Sequence, residues 1–145
     1  MVKQIHLEQV IKVANSSPYY RLLGMAVKEI KEGESRIGMP FKQGLTHPYG
    51  IVHGGAIASL ADSAVAMALI DLVAPKDRIA TIEFKINFVA SVDKGELEAH
   101  AKIIHKGSKT AVGEVEVVNE KGKLVAKLVA TYSIQRSDER NRRPT

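Results

Sequence analysis

Apolar residues recur at two different periods along this chain, and each change of period marks a new element. Ile5, Val10, Ile11 and Ala14 fall loosely at helical intervals, and Asn15-Ser16-Ser17-Pro18 ends that helix. A short helical turn is predicted over Pro18 to Leu23, before Gly24. From Met25 to Phe41 the period drops to two around Lys31-Glu32-Gly33-Glu34, the mark of a hairpin. Lys42 to Val52 reads as a loop broken by Gly44, Pro48 and Gly50. Gly54 to Val73 then carries six alanines and is apolar around most of its circumference, which predicts a buried helix ending before Pro75.

Beyond Pro75 the pattern is strand upon strand. Ile82, Phe84, Ile86 and Phe88 alternate with Thr81, Glu83, Lys85 and Asn87. Leu97, Ala99, Ala101 and Ile103 share a face of the next strand. A turn at Lys106-Gly107-Ser108-Lys109 leads to Val115 and Val117 on one side and Glu114 and Glu116 on the other. Asn119-Glu120-Lys121-Gly122 is a further hairpin turn, and the last strand aligns Leu124, Ala126, Leu128, Ala130, Tyr132 and Ile134. Short turns imply antiparallel pairing, and one-sided alternation implies one buried face. The class is α+β: a curved antiparallel sheet wrapped around one long central apolar helix, its alanines permitting close approach. Such a sheet leaves edge strands that a second subunit can pair. Residues 1–135 form one expected domain, and 136–145 an expected frayed basic tail.

Composition narrows the chemistry. The 145 residues contain no cysteine, which removes disulfides and thiolate metal sites and fits a reducing cytoplasm. Asp62 and Asp71 interrupt the longest apolar run, so no membrane span is expected, and the N-terminus lacks the apolar core of a signal peptide. The net charge of +5 rests partly on the four arginines from Arg136 to Thr145. With 5% aromatics and no Trp, nucleic acid is not an expected partner; an anionic small ligand suits the charge as well.

Asp62 is the residue that demands a reason, because a carboxylate inside an apolar helix is costly unless paired. Eight and nine positions upstream, Gly54 and His53 belong to a Gly-Ile-Val-His-Gly-Gly run at the helix start. Free backbone N–H groups and the positive end of the helix dipole can hold an oxyanion there. Oxyanion site and carboxylate together suit acyl transfer or hydrolysis; the alternative is an Asp that bonds only to Ser59 or nearby backbone. No Gly-x-Ser-x-Gly elbow makes a nucleophile of Ser59 or Ser63, and no ligand spacing makes a metal site of His47, His53 and Asp62.

This order of elements, with HPYGIVHGGAIASLAD, resembles the hotdog-fold acyl-CoA thioesterases, most closely the phenylacetate-degradation (PaaI-like) branch. Ala80-Thr81-Ile82-Glu83 to Asn87-Phe88, Gly95-Glu96-Leu97 and the Gly122 to Ala130 arm extend the likeness. The resemblance implies a homodimer joined edge to edge, often doubled to a tetramer, with active sites drawing on both subunits. By it, Gly54 polarises the thioester carbonyl, and Asp62 of the partner subunit is nucleophile or general base. Thr81 orients the water or the acid. His47 departs from the pattern, since the PaaI-like branch has Asn there and the hydroxybenzoyl-type branches have Gln; an imidazole can donate a comparable hydrogen bond. His53 and Gly55 are candidate substrate contacts, His53 having a structural reading as well. Lys106, Ser108 and Lys109 are a turn that could also meet coenzyme A phosphates.

The implied activity is hydrolysis of an aryl- or fatty-acyl-CoA to free acid and coenzyme A, with no metal or redox cofactor. Phenylacetic acid degradation is the implied pathway. Two rival functions stay open: a non-catalytic acyl-CoA-binding or sensor module, and a hotdog dehydratase or hydratase pairing His47 or His53 with Asp62.

Overall fold

The computed structural model describes residues 2 to 140. Helix α1 (Val2–Ser16) and the short α2 (Pro18–Leu23) lead into a hairpin of β1 (Ala26–Lys31) and β2 (Glu34–Pro40). Its two-residue turn has positive φ at both Glu32 (53°) and Gly33 (75°), the twist that matches paired strands. A loop with one 3-10 turn at Gln43–Leu45 precedes α3 (Gly54–Ile70). Then follow β3 (Arg78–Phe88), β4 (Glu96–Lys106), β5 (Thr110–Val118), β6 (Leu124–Gln135) and α4 (Ser137–Arg140). The strands form one sheet in the order β1-β2-β4-β5-β6-β3, with every pair antiparallel. The α+β architecture expected from the periodicities, a six-stranded sheet around a central helix, is the one observed.

Helix α3 buries a stripe of Ala56, Ile57, Leu60, Ala61, Ala64, Val65, Ala68 and Leu69 against the concave face of the sheet. Small residues along that stripe let the backbone approach. On β5, Gly113 faces Val65 so closely that an added Cβ would lie 2.7 Å from Val65 Cγ1. Two buried polar groups fasten the helix lengthwise. Ser35 Oγ on β2 donates to the Ala64 carbonyl at 2.6 Å. Just past the helix, the fully buried side chain of Asp71 accepts the Gly33 N–H of the hairpin turn at 2.8 Å.

Two expectations need correction. The helix is not buried all round: Ser59, Asp62, Ser63, Ala66 and Met67 lie on a half-buried side, because the sheet wraps it from one side only. The apolar face of β3 is not covered within the chain, and Ile82 and Phe88 are 56% and 51% exposed. β3 meets α3 through Thr81 at Asp62 and Phe88 over Gly54, but as the outermost strand beside β6 it keeps one edge without a strand partner among the described residues. Ser137–Arg140 form a helical turn whose Ser137 N–H donates to Asp77 at 3.1 Å. Residues 141–145 lie outside the described part. Among the described residues, no helix is long and apolar enough to cross a membrane.

Gly113→Ala should lower stability by about 1–3 kcal/mol, as overpacking against a stiff β-branched neighbour does. The midpoint of urea unfolding checks this, with an unchanged slope showing that the effect is on the folded state.

Candidate active site

The loop before α3 is closed on itself before the helix begins. His47 N–H donates to the Ile51 carbonyl at 3.0 Å and Gly50 N–H to the His47 carbonyl at 2.9 Å. His53 is then seated by its N–H to the Leu45 carbonyl at 2.7 Å. A helix start leaves four N–H groups without intrahelical partners. Here His53 disposes of three: its Nδ1 accepts Gly55 N–H at 2.7 Å, and its carbonyl accepts Ala56 and Ile57 at 3.0 and 3.3 Å. The Gly54 N–H is left without an acceptor among the described residues.

That free donor opens on a cleft of about 430 Å³ lined by His47, Ile51, Ile57, Phe88 and Val89 among others. Phe88 packs over Gly54 so tightly that a Cβ there would lie 3.1 Å from its ring. His47 therefore shares the cleft with Gly54. Its Nδ1 accepts the Tyr49 N–H at 3.1 Å, so in the neutral ring the proton sits on Nε2. An asparagine oxygen can accept the same N–H two residues on, so histidine and an amide are interchangeable in this one bond.

Asp62 lies two helical turns further along α3, about 12 Å away at 1.5 Å per residue. It is half-buried and well supplied with donors. Thr81 Oγ1 on β3 donates to its carboxylate, 2.9 Å from Oδ1 and 3.1 Å from Oδ2. Tyr132 Oη on β6 lies 2.5 Å from Oδ1 and 2.8 Å from the Asp62 carbonyl. Burial first, and then the bond to Asp62, push the Tyr132 phenol far above its ordinary titration. It stays a donor at any working pH. Tyr20 on α2 is raised chiefly by burial and further by the charge of Asp62, against a lowering bond to Ser63.

Residues 49–126 match the family model described as Thioesterase superfamily, which is more than half of the chain. The chain belongs to the thioesterase superfamily. It is 30% identical over 96 residues to 1,4-dihydroxy-2-naphthoyl-CoA hydrolase of Escherichia coli, covering 66% of this chain and 71% of the relative. Among solved structures it is similar to a mutant of the phenylacetic acid degradation protein PaaI from Thermus thermophilus. That match has 29% identity and a TM-score of 0.74 over 81% of this chain and 98% of the other. A mutant of thioesterase PA1618 from Pseudomonas aeruginosa is 25% identical, with a TM-score of 0.82 over 89% and 93%. The enzyme is accordingly a thioester hydrolase.

Within this thioesterase the expected site residues fall into four groups. Gly54 and His47 share the cleft, and Asp62 and Thr81 are bonded to each other. Lys106, Ser108 and Lys109 form the β4–β5 turn, pinned where Ile134 N–H donates to the Lys109 carbonyl at 2.8 Å. Lys106 pairs with Ala111, Ala111 with Tyr132, and Tyr132 with Thr81, so the turn lies on the row of the sheet that ends at Asp62. His53 and Gly55 are spent on each other as a helix cap. Tyr132 escaped the sequence reading because it stood in an unbroken apolar alternation; its hydroxyl, which needs a partner when buried, was the available signal.

His53→Ala should remove the cap and cost about 1 kcal/mol of stability while leaving turnover within roughly tenfold. Thermal unfolding and steady-state rates on the same variant check it. An unchanged melting point with lost turnover would instead make His53 a catalytic group.

Proposed function

We propose that the protein hydrolyses acyl-CoA thioesters, with an aryl or fatty acyl group, at sites formed between two copies of the chain. One observation carries the reading. The free Gly54 N–H and the Asp62 carboxylate belong to one rigid helix and lie too far apart to serve one carbonyl. A second copy supplies the remedy. β3 has an unpaired edge, passes beside Asp62 at Thr81 near its start, and ends over Gly54 at Phe88. Antiparallel pairing of two β3 edges about their middle sets the Thr81 end of one copy against the Phe88 end of the other. Gly54 of one chain then faces Asp62 of its partner, and the exposed Ile82, Phe84 and Phe88 gain cover.

In this arrangement the thioester oxygen accepts the Gly54 N–H, strengthened by the helix dipole. Asp62 takes a proton from water as the water oxygen bonds to the carbonyl carbon. The tetrahedral oxyanion collapses, the C–S bond breaks, and the departing thiolate takes the proton back from Asp62. A thiolate is a good leaving group, so carboxylate and oxyanion donor suffice. The apolar Ile51, Ile57, Phe88 and Val89 suit the acyl chain or ring, and the Lys106–Lys109 turn suits the coenzyme A phosphates. The coenzyme A ester named for the E. coli relative supports the substrate class.

Thiol release with Ellman's reagent over a panel including phenylacetyl-, hydroxybenzoyl- and medium-chain acyl-CoA tests the activity. Turnover of none of them would overturn the substrate class. Asp62→Asn should lower kcat by two or more orders of magnitude while leaving the fold and substrate binding in place. Unimpaired binding with full turnover would instead remove Asp62 from the chemistry. Mixing Asp62→Asn chains with Gly54→Ala chains should restore about a quarter of wild-type activity, since half the dimers are hybrids with one intact site. No restoration after refolding together would contradict a shared site, and size-exclusion in the same buffers distinguishes dimer from tetramer.

A further inference from the structure

The two oxygens of Asp62 are not equivalent. Oδ1 is 2.5 Å from the Tyr132 hydroxyl and 2.9 Å from that of Thr81, whereas Oδ2 has only the longer, shared contact to Thr81 at 3.1 Å. Tyr132 offers a single hydroxyl proton, and a charged acceptor at the shorter distance takes it in preference to the Asp62 carbonyl at 2.8 Å. The two donors also differ in kind. Thr81 is on the exposed edge strand, so its hydroxyl is open to substrate and solvent. Tyr132 is 3% exposed, with its ring in the core formed by α3 and the sheet, and its two side-chain torsions are fixed by packing. It does not face the cleft and reaches the reaction only through the carboxylate.

The geometry points to Tyr132 as a positioning residue for Asp62, which with Thr81 occupies Oδ1 and leaves Oδ2 as the oxygen that works on the substrate's water. This rests on the thioesterase mechanism above and adds to it the identity of the acting atom and of the group that aims it. A carboxylate on a helix swings about two side-chain torsions. A bond from the rigid core to one oxygen stops that swing, and displacement of a reacting group by an ångström costs on the order of a hundredfold in rate. The phenol suits the task because it is a permanent donor and because its own strand, β6, lies between β5 and β3 in the sheet.

The test is Tyr132→Phe, which removes one oxygen and keeps the ring. The expected result is a 10- to 100-fold fall in kcat with KM within about threefold, because nothing that binds substrate is lost. In an Asp62→Asn background the same substitution should cause no further fall, since the aimed group is already gone. Ser35→Ala is the control: it deletes a buried hydroxyl that bonds to the same helix at the Ala64 carbonyl, away from the Asp62 carboxylate, and it should leave kcat unchanged. An unaltered kcat in Tyr132→Phe overturns the proposal. So does a fall that is matched in KM and repeated in the Asp62→Asn background, which marks a merely structural bond. Should Tyr132→Phe not fold, Thr81→Val decides: a lower kcat at constant KM supports pinning through Oδ1, and an unaltered one overturns it. If Asp62→Asn alone retains turnover, the mechanism fails; if Asp62→Asn is inactive and Tyr132→Phe is not impaired, only the aiming role fails.

Discussion

Close contact between the alanine-rich stripe of α3 and the concave sheet fixes everything else in this protein. Ala61, Ala64 and Ala68 are fully buried, and Gly113 admits Val65 where any side chain would intrude. A packed helix is a rigid ruler, with 1.5 Å for each residue. Once its stripe is seated, the start of the helix and the carboxylate at Asp62 have no freedom to approach one another. The hydroxyl of Ser35 and the buried carboxylate of Asp71 hold the ruler lengthwise as well. The division of the chemistry between two places follows from the packing and is not a separate design decision.

The two edges of the sheet are treated differently. β1 is six residues long, carries Lys28, Glu29 and Lys31, shifts register between Val27 and Glu29, and is packed by α1. Those are the devices that keep an edge from pairing. β3 is eleven residues long, has no proline, and leaves Ile82, Phe84 and Phe88 exposed. An edge left in that state is costly unless something covers it. The unprotected edge is also the one that joins Thr81 to Phe88.

Most of the scaffold was legible in the sequence because each element announces itself through a local rule. Period-two alternation, the Glu32-Gly33 turn and the alanine-rich run all translate directly into what is observed. The helix start was legible in kind but not in detail. That His53 consumes three of the four free N–H groups, and so singles out Gly54, depends on its ring orientation and on the loop held by Leu45. β3 was misread in one respect. Simple alternation sets Thr81 with Glu83 and Lys85 on the outer face, away from Asp62. The register shifts between Thr81 and Glu83, so Ile82 is an extra residue and Thr81 joins Phe84 and Phe88 on the inner side. A bulge of this sort re-aims one side chain, and nothing in a pattern of apolar letters distinguishes it from an unbroken strand. The bond between Tyr132 and Asp62 spans 70 residues, beyond any local rule.

The positive charge can be placed by the same reasoning. On the outer face of the sheet, Arg36 bonds to Glu29 and Glu98, His100 to Glu98, and Lys127 lies near Glu114 and Glu116. These pairs are largely exposed and contribute little stability, and their carboxylates outnumber their cations, so they leave no surplus positive charge on that face. The surplus cations must therefore sit elsewhere, and Lys106 and Lys109 supply two of them at the end of the sheet where the row through Tyr132 and Thr81 reaches Asp62. A phosphate-bearing substrate is steered by where charge is left uncancelled, not by the total. The acidic pairs of the outer face and the basic turn thus favour approach of an anion from the same end of the sheet as the carboxylate.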